Sequence, residues 1–368
     1  MTTTRLEKLN ASLRTSDLDA VALNPGPTLT YLTGAHFHLM ERPVVLLVAQ
    51  GQAPALVLPE LEMLKVEQMP YPVQAFPYEE NPSEWESAFR KATQALGLDG
   101  KRIGVETERM RLLEYNFLRA GAPSAEYPDA SETLGSLRLR KEQSEIDNMR
   151  RAVEVAQAAL EAALPQIKIG MTEREFAAEL VVQLLRQGSD AGLPFTPIVS
   201  GGPNSANPHA SPTDRKLQAG DLLVIDYGAA ANDYVSDITR TFAVGEVQAE
   251  YDKIHKVVQE ANAAGRAAGK PGLPCADVDK AARAVIEGAG YGKYFTHRTG
   301  HGIGMEGHEG PYMRGDNMQL LEPGMAYTVE PGIYLPGRNG VRVEDDVVVT
   351  ETGSESLTTL PREMRVVG

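Results

Sequence analysis

Two stretches of the chain set acids where apolar strand residues belong. One is Gly220-Asp-Leu-Leu-Val-Ile-Asp226, followed by Asp237; the other is Gly324-Met-Ala-Tyr-Thr-Val-Glu330, followed by Glu344. In each, a Gly stands six positions before the first acid, and a second acid returns after a short polar turn. Each stretch predicts a β-hairpin, because an apolar run leads to the acid, turn residues follow (Gly228 and Asn232 in the first), and a second apolar run comes back. Separations of 11 and 14 residues across the turns can bring the second acid opposite the first. A buried lone carboxylate costs several kcal/mol or is neutralised, so four converging ones need compensating positive charge. Metal is the simplest source of that charge. His301, in His297-Arg-Thr-Gly-His301-Gly-Ile-Gly between the hairpins, adds a nitrogen ligand.

Asp226, Asp237, His301, Glu330 and Glu344 would make five protein ligands, which suits two ions about 3.5 to 4 Å apart bridged by shared carboxylates. Four carboxylates balance two divalent cations. Oxygen-rich ligation with one imidazole favours Mn, with Co or Zn as alternatives, and argues against a copper or structural-zinc site. The expected chemistry is hydrolysis by a hydroxide generated near neutral pH. His308, in Gly307-His-Glu-Gly-Pro311, is a candidate general acid or donor to a tetrahedral intermediate, and His209, on a turn-rich segment, is a second. Arg342, two residues before Glu344, could hold an acid in place. Taken singly, each of these acids would be read as a turn or surface residue; the duplicated spacing with His301 between is what argues otherwise.

The bulk properties narrow the field. The 368 residues are 42% hydrophobic and 23% charged, as in ordinary soluble two-domain proteins. A net charge of −14 argues against nucleic acid or an anionic membrane as partner. The lone Cys275 permits no internal disulfide, and no apolar stretch reaches membrane-spanning length, so the expectation is a cytoplasmic protein. No His-Glu-x-x-His, Walker loop or Gly-x-Ser-x-Gly motif offers a rival chemistry.

The elements that must position these residues fall into two groups. In the first part strands (20–23, 44–49, 55–58, 102–106) alternate with helices (around Leu6–Leu13, 83–96 and 112–120), which predicts a compact α/β domain. A Pro-, Ser-, Asp- and Gly-rich stretch at 123–135 places the boundary, giving a domain over 1–130, a linker over 131–140 and a second domain over 141–368. In the second part a long amphipathic helix and another starting at the capping box Thr172-Glu-Arg-Glu175 precede the first hairpin. Helices over 251–268 and 276–290 precede the second. The α-α-β-β order therefore occurs twice, and the expectation is two halves about a pseudo-twofold axis with a shared sheet.

Residues 140–368 resemble the pita-bread metallopeptidases, the family of methionine aminopeptidase, aminopeptidase P and prolidase. The resemblance rests on Ile225-Asp226-Tyr-Gly, Ser236-Asp237-Ile-Thr-Arg-Thr241, Thr299-Gly-His301-Gly-Ile-Gly, Val329-Glu330-Pro-Gly-Ile-Tyr334 and Val341-Arg-Val-Glu344-Asp. It implies that the family's dinuclear ligands fall on the same five residues, its conserved-role histidines on His209 and His308, and a proline-pocket role on His297, with Tyr334 and Arg342 beside the substrate. The first domain, with Asp19-Ala-Val-Ala, Asn24 and Tyr31-Leu-Thr-Gly34, looks like the creatinase/prolidase N-terminal type. The resemblance thus implies an α/β N-terminal domain plus an α+β pita-bread catalytic domain that cleaves Xaa-Pro bonds in small peptides with proline second. A homodimer is also implied, in which the partner's N-terminal domain helps close the site.

An Xaa-Pro dipeptidase is the leading expectation, with aminopeptidase P acting on longer peptides as the alternative, and a creatinase-like hydrolase or a non-catalytic binding protein behind them. A dipeptidase needs a cation for the free proline carboxylate. Many prolidases resembling this chain carry Arg directly after the proline of the His-Glu-x-x-Pro-like segment, but here Pro311 is followed by Tyr312. Arg298, Arg314, Arg338 and Arg42 are the candidates to replace it.

Overall fold

The computed structural model describes residues 4–368, and the chain divides into two compact units, Met1–Arg138 and Leu139–Gly368. In the first unit a five-stranded mixed sheet runs in the order Gln74–Tyr78, Ala55–Pro59, Val45–Ala49, Ala20–Leu23, Ile103–Val105. Its three central strands are wholly buried, which is why they read as unbroken apolar runs rather than alternating ones. Trp85, Ala88, Phe89 and Ala92 on helix Pro82–Ala95 share one core with strand residues such as Ala22, Leu47 and Val57. The Trp85 indole N–H donates to the Glu79 carbonyl at 2.9 Å, so the single tryptophan is a satisfied core residue.

Helix Pro27–Thr33 and strand Gln74–Tyr78 lie outside the elements expected from the sequence. Pro27 begins the helix and Pro77 sits in the strand; a proline at a helix start and on an edge strand is well tolerated. Residues 131–140, expected as a linker, form helix Ser131–Leu139 instead. Leu134 and Leu137 are buried there, and the Leu137 carbonyl accepts from the Tyr31 hydroxyl at 3.0 Å. Its polar, Gly-containing sequence hid an apolar face of about two and a half turns.

The second unit holds the duplicated α-α-β-β order. Helices Gln143–Ala163 and Glu173–Arg186 pack on a four-stranded sheet ordered Val366–Val367, Ile238–Val244, Leu222–Tyr227, Ile198–Gly201. The second helix starts at Thr172, whose hydroxyl accepts the Glu175 N–H at 3.1 Å while the Glu175 carboxylate accepts the Thr172 N–H at 2.7 Å. Helices Ala249–Ala268 and Cys275–Gly288 accompany a five-stranded sheet ordered Glu309–Met313, Gly300–Gly302, Ala326–Val329, Asp345–Val349, Ser354–Ser356. Cys275 and Val278 share a core with Tyr327, Val329 and Val347 of that sheet. Burial pushes the Cys275 thiol up to about 11, which fits a packing residue.

The two hairpins thus belong to two separate sheets rather than to the single shared sheet expected. The sheets meet along a seam where the Glu344 N–H donates to the Thr239 carbonyl at 3.1 Å and the Thr241 hydroxyl donates to the Arg342 carbonyl at 2.9 Å. The Thr241 hydroxyl also accepts the Arg342 N–H at 3.1 Å, so a side chain takes the place of a backbone partner there and the two sheets stay separate. Each hairpin carries a smaller ribbon at its tip: Ala230–Ala231 with Tyr234–Val235, and Gly332–Tyr334 with Gly340–Arg342. The first ribbon turns at Asn232 and Asp233, both with positive φ (51° and 70°), a conformation these side chains tolerate.

Candidate metal centre

The four acids stand at matching places in the two halves. Asp226 is near the end of the outgoing strand Leu222–Tyr227, and Glu330 directly follows Ala326–Val329. Asp237 and Glu344 directly precede the returning strands Ile238–Val244 and Asp345–Val349. Strand register fixes this, with Asp226 opposite Thr239 in one half and Val329 opposite Asp345 in the other. The glycine six residues before each outgoing acid has positive φ, 93° at Gly220 and 88° at Gly324, so the same left-handed turn launches both strands. His301 lies on Gly300–Gly302. A Cβ on Gly300 would sit 1.8 Å from the Thr328 carbonyl oxygen, and one on Gly302 2.0 Å from that of Gly310; only Gly-His-Gly lets the neighbouring strands approach this closely.

These elements bring all five candidate ligands together. Ligand atoms of Asp226, Asp237 and Glu344 lie within 4.8 Å of one another, as do those of His301, Glu330 and Glu344; the two sets share Glu344. His301 Nε2 is 3.6 Å from Asp237 Oδ2 and 3.4 Å from Glu330 Oε1. Its Nδ1 faces the Gly302 carbonyl at 3.1 Å; a carbonyl can only accept, so Nδ1 carries the proton and Nε2 keeps its lone pair toward the acids. Burial, with His308 nearby, lowers the His301 pKa to about 3, so the ring is neutral, as a ligand must be.

The acids are mutually frustrated. Burial raises the Asp237 pKa well above its usual range, and Glu344 and Asp226 add repulsion. Glu344 is raised well above its ordinary value by burial and by Glu330 and Asp226, against the pull of Arg342. Burial pushes Glu330 up to about 8, with Arg342 opposing and Asp226 adding to the rise. Asp226 Oδ1 and Asp237 Oδ1 are buried without any hydrogen-bond partner among the described residues. Orphaned carboxylate oxygens facing one another around a free imidazole lone pair fit a pair of divalent cations, and a purely structural network would have satisfied them.

Arg342 braces this centre. Its guanidinium is buried; Nη2 donates to Asp226 Oδ2, Nε to Thr239 Oγ1 at 3.1 Å, and Nη1 to the Tyr334 hydroxyl at 2.9 Å and the Pro208 carbonyl at 3.3 Å. Four of its five N–H groups are therefore taken by the protein, which makes it a support for Asp226 rather than a free substrate contact. The chain continues from the Tyr334 hydroxyl to His297 Nε2 at 2.9 Å, while His297 Nδ1–H donates to the Arg298 carbonyl at 2.7 Å. Burial and the Arg342 charge lower His297 to about 4. His308 stacks on His301, with ring centroids 3.7 Å apart, and its Nδ1 accepts from Arg298 Nη2 at 3.1 Å. Nε2 of His308 therefore carries the proton as a donor. Burial and Arg298 lower its pKa.

His209 is exposed on the loop after Gly202–Ala206, within electrostatic reach of both His297 and His308. Glu173 ties that loop down: its carboxylate accepts from the Gly201 N–H, the Asn204 amide, and the Thr213 N–H and hydroxyl, at 2.6 to 3.0 Å. Arg42, by contrast, belongs to the first unit, where Glu80 and Glu41 engage its guanidinium at 3.0 and 2.8 Å. As a substrate contact it would have to give up partners it already has.

Three supporting residues escaped the sequence reading. The Thr239 hydroxyl donates to Glu344 Oε2 at 2.5 Å. Thr328 Oγ1 accepts the His301 N–H at 3.2 Å and lies 3.5 Å from Glu330 Oε1. Asp346 Oδ2 accepts the Asp237 N–H at 3.0 Å. Each is two residues from a candidate ligand, Thr239 after Asp237, Thr328 before Glu330 and Asp346 after Glu344, so the strand period of two was the signal that could have found them.

Residues 147–351 match the model of metallopeptidase family M24, and residues 5–140 that of the creatinase/prolidase N-terminal domain. Among solved structures, the chain is similar to a dipeptidase from Pyrococcus horikoshii OT3, with 37% identity and TM-score 0.93, covering 99% of this chain and 100% of that one. A prolidase from Thermococcus sibiricus matches at 31% identity and TM-score 0.93, with both chains covered in full. An Xaa-Pro dipeptidase from Bacillus anthracis matches at 32% and 0.90, with 99% of each chain covered. With a dinuclear-type acid and histidine cluster in its catalytic unit and these likenesses along its whole length, the chain belongs to metallopeptidase family M24 and carries the creatinase/prolidase N-terminal domain.

Proposed function

We propose that the protein is an Xaa-Pro dipeptidase. The observation that carries this reading is the convergence of five ligand residues with unsatisfied carboxylate oxygens, in a chain that overlays end to end on a dipeptidase, a prolidase and an Xaa-Pro dipeptidase. Held by Asp226, Asp237, His301, Glu330 and Glu344, two divalent ions would offset the carboxylate charge and make a water nucleophilic near neutral pH. Oxygen-rich ligation with a single imidazole favours manganese.

The chain's own groups then divide the work. Glu330 has the most accessible side chain of the four acids, at 16% against 12% for Asp226, and is the one placed to take the proton of the attacking water. His308, protonated on Nε2 and kept neutral, donates to the oxygen that gains charge at the scissile carbonyl, with His209 on the neighbouring loop as a second donor. Arg342, Tyr334 and His297 form a fixed wall whose hydrogen bonds are internally satisfied, so it can meet an apolar proline ring without leaving a polar group unpaired. A homodimer acting in the cytoplasm belongs to the same reading.

The test is release of proline from Ala-Pro and Met-Pro by protein stripped of metal and then reloaded with Mn. Metal-dependent release is expected, with about two ions bound per chain by elemental analysis. Absence of release after reconstitution, or activity untouched by chelation, would refute the reading.

A further inference from the structure

The reading above leaves open what meets the far end of a peptide, and the arginines answer it by elimination. An arginine that takes a substrate carboxylate must lie at the site and have donors to spare. Arg314 is paired with Asp316, Arg338 with Glu250, Arg42 with Glu80 and Glu41, and Arg283 with Asp279. Arg342 is buried against Asp226 and nearly saturated.

Arg298 differs from all of them. It has no carboxylate partner among the described residues; its contacts are the neutral His308 ring, through one N–H of Nη2, and the face of Tyr312, with the guanidinium carbon 4.4 Å from the ring centroid. That leaves both N–H groups of Nη1, one of Nη2 and that of Nε. The guanidinium is half-buried and one imidazole away from the metal ligand His301, and its charge reaches Glu330. An unpaired cation beside so acidic a centre repels a substrate's ammonium group and attracts a carboxylate. In a dipeptide the carboxylate lies about 4 Å past the scissile carbonyl, one residue step, and Arg298 Nη2 stands 3.1 Å from the ring of His308, the proposed oxyanion donor. Tyr312 holds the guanidinium plane by stacking.

We propose that Arg298, steadied by Tyr312, receives the free α-carboxylate of the substrate and so makes the enzyme select dipeptides over longer peptides. The inference rests on the peptidase reading of the site. It goes further by naming the specificity-determining residue.

The test compares Ala-Pro with Ala-Pro amide, which lacks only the charge, and with Ala-Pro-Ala, on manganese-loaded wild type, Arg298→Met and Arg298→Lys. Loss of a charged hydrogen-bonding partner predicts a fall in kcat/KM for Ala-Pro of roughly 10- to 150-fold in Arg298→Met, carried by KM. The wild-type preference for acid over amide should collapse to within about threefold, with part of it restored in Arg298→Lys. Methionine keeps an apolar contact with Tyr312, so the fold should hold. If Arg298→Met instead lowers kcat on acid and amide alike, Arg298 serves only to orient His308 and the proposal is overturned. If the preference for the acid survives, it is overturned as well. A wild type that releases alanine from none of the three substrates removes the peptidase reading itself, a result distinct from either.

Discussion

Replacing Glu344 by Gln should have opposite consequences with and without metal. Glu344 is 1% exposed, and its ligand atoms fall within 4.8 Å of both Asp226 with Asp237 and His301 with Glu330. Its pKa stands well above the ordinary value because burial and two facing carboxylates disfavour the anion. Burial and the facing carboxylates therefore favour its protonated form in the metal-free protein, and Gln reproduces that form's shape. The amide oxygen can still accept the Thr239 hydroxyl. Metal-free Glu344→Gln should melt within a degree or two of wild type at pH 6 and at or above it at pH 8, where ionisation strains the wild-type cluster.

Metal reverses the order. At a metal concentration 100-fold above Kd, binding stabilises a folded state by about 2.7 kcal/mol. For a unit the size of Leu139–Gly368, about 2 to 4 °C per kcal/mol turns this into a Tm rise of roughly 5 to 11 °C. Loss of a shared ligand that weakens binding about 100-fold leaves about 0.4 kcal/mol at the same concentration, a rise of only about 1 to 2 °C. Differential scanning calorimetry of chelator-treated protein with titrated manganese reads both quantities. A variant that keeps the full wild-type metal shift would show that Glu344 is no ligand. A metal-free variant melting several degrees early at pH 8 would show that the four acids do not repel one another as argued.

Arg342→Met should act in the contrary sense on the metal-free protein, since it removes the cation that braces Asp226 and leaves the Tyr334 hydroxyl without its donor; breaking such a buried pair costs about 3 to 5 kcal/mol, measurable by urea unfolding, and a loss below about 1 kcal/mol would contradict it. The pH dependence of metal-free stability should be two-sided. Glu330 rises from 4.5 to about 8 on folding, so the folded state holds more protons across that window and stability falls as pH rises through it. His255, His297 and His301 are depressed from 6.5 to about 4, about 4 and about 3, so the unfolded state holds more protons there and stability also falls as pH drops below about 6.5. Tm measured from pH 4 to 9 in chelator should peak in between, and manganese should abolish the alkaline fall while leaving the acid fall from His255. A metal-free Tm that climbs steadily to pH 9 would contradict the sign.

What the sequence revealed of this molecule follows from how locally each feature is encoded. The convergence of the five candidate ligands was legible because strand burial, a glycine with positive φ and a returning acid are all written within one hairpin, and the hairpin is written twice. The helix start at Thr172 and the helix end at Ala268 were legible from equally local signals, while the start expected at Tyr251 lies two residues inside the helix, which begins at Ala249. The helix over Ser131–Leu139 was hidden because its composition resembles a linker and only Leu134 and Leu137 mark its buried face. The division of one expected sheet into two was also hidden, since it depends on Thr239 and Thr241 bonding across a seam to residues more than 100 positions away. The arginines show the limit most sharply. Arg298, Arg314, Arg338 and Arg42 are equivalent as letters, and what separates them is the carboxylate each has found: Asp316, Glu250 and Glu80 claim three, while Arg298 meets, among the described residues, an imidazole and a tyrosine ring but no carboxylate. The specificity proposed for this site therefore rests on a partner left out, a property of the folded neighbourhood that no motif around residue 298 spells.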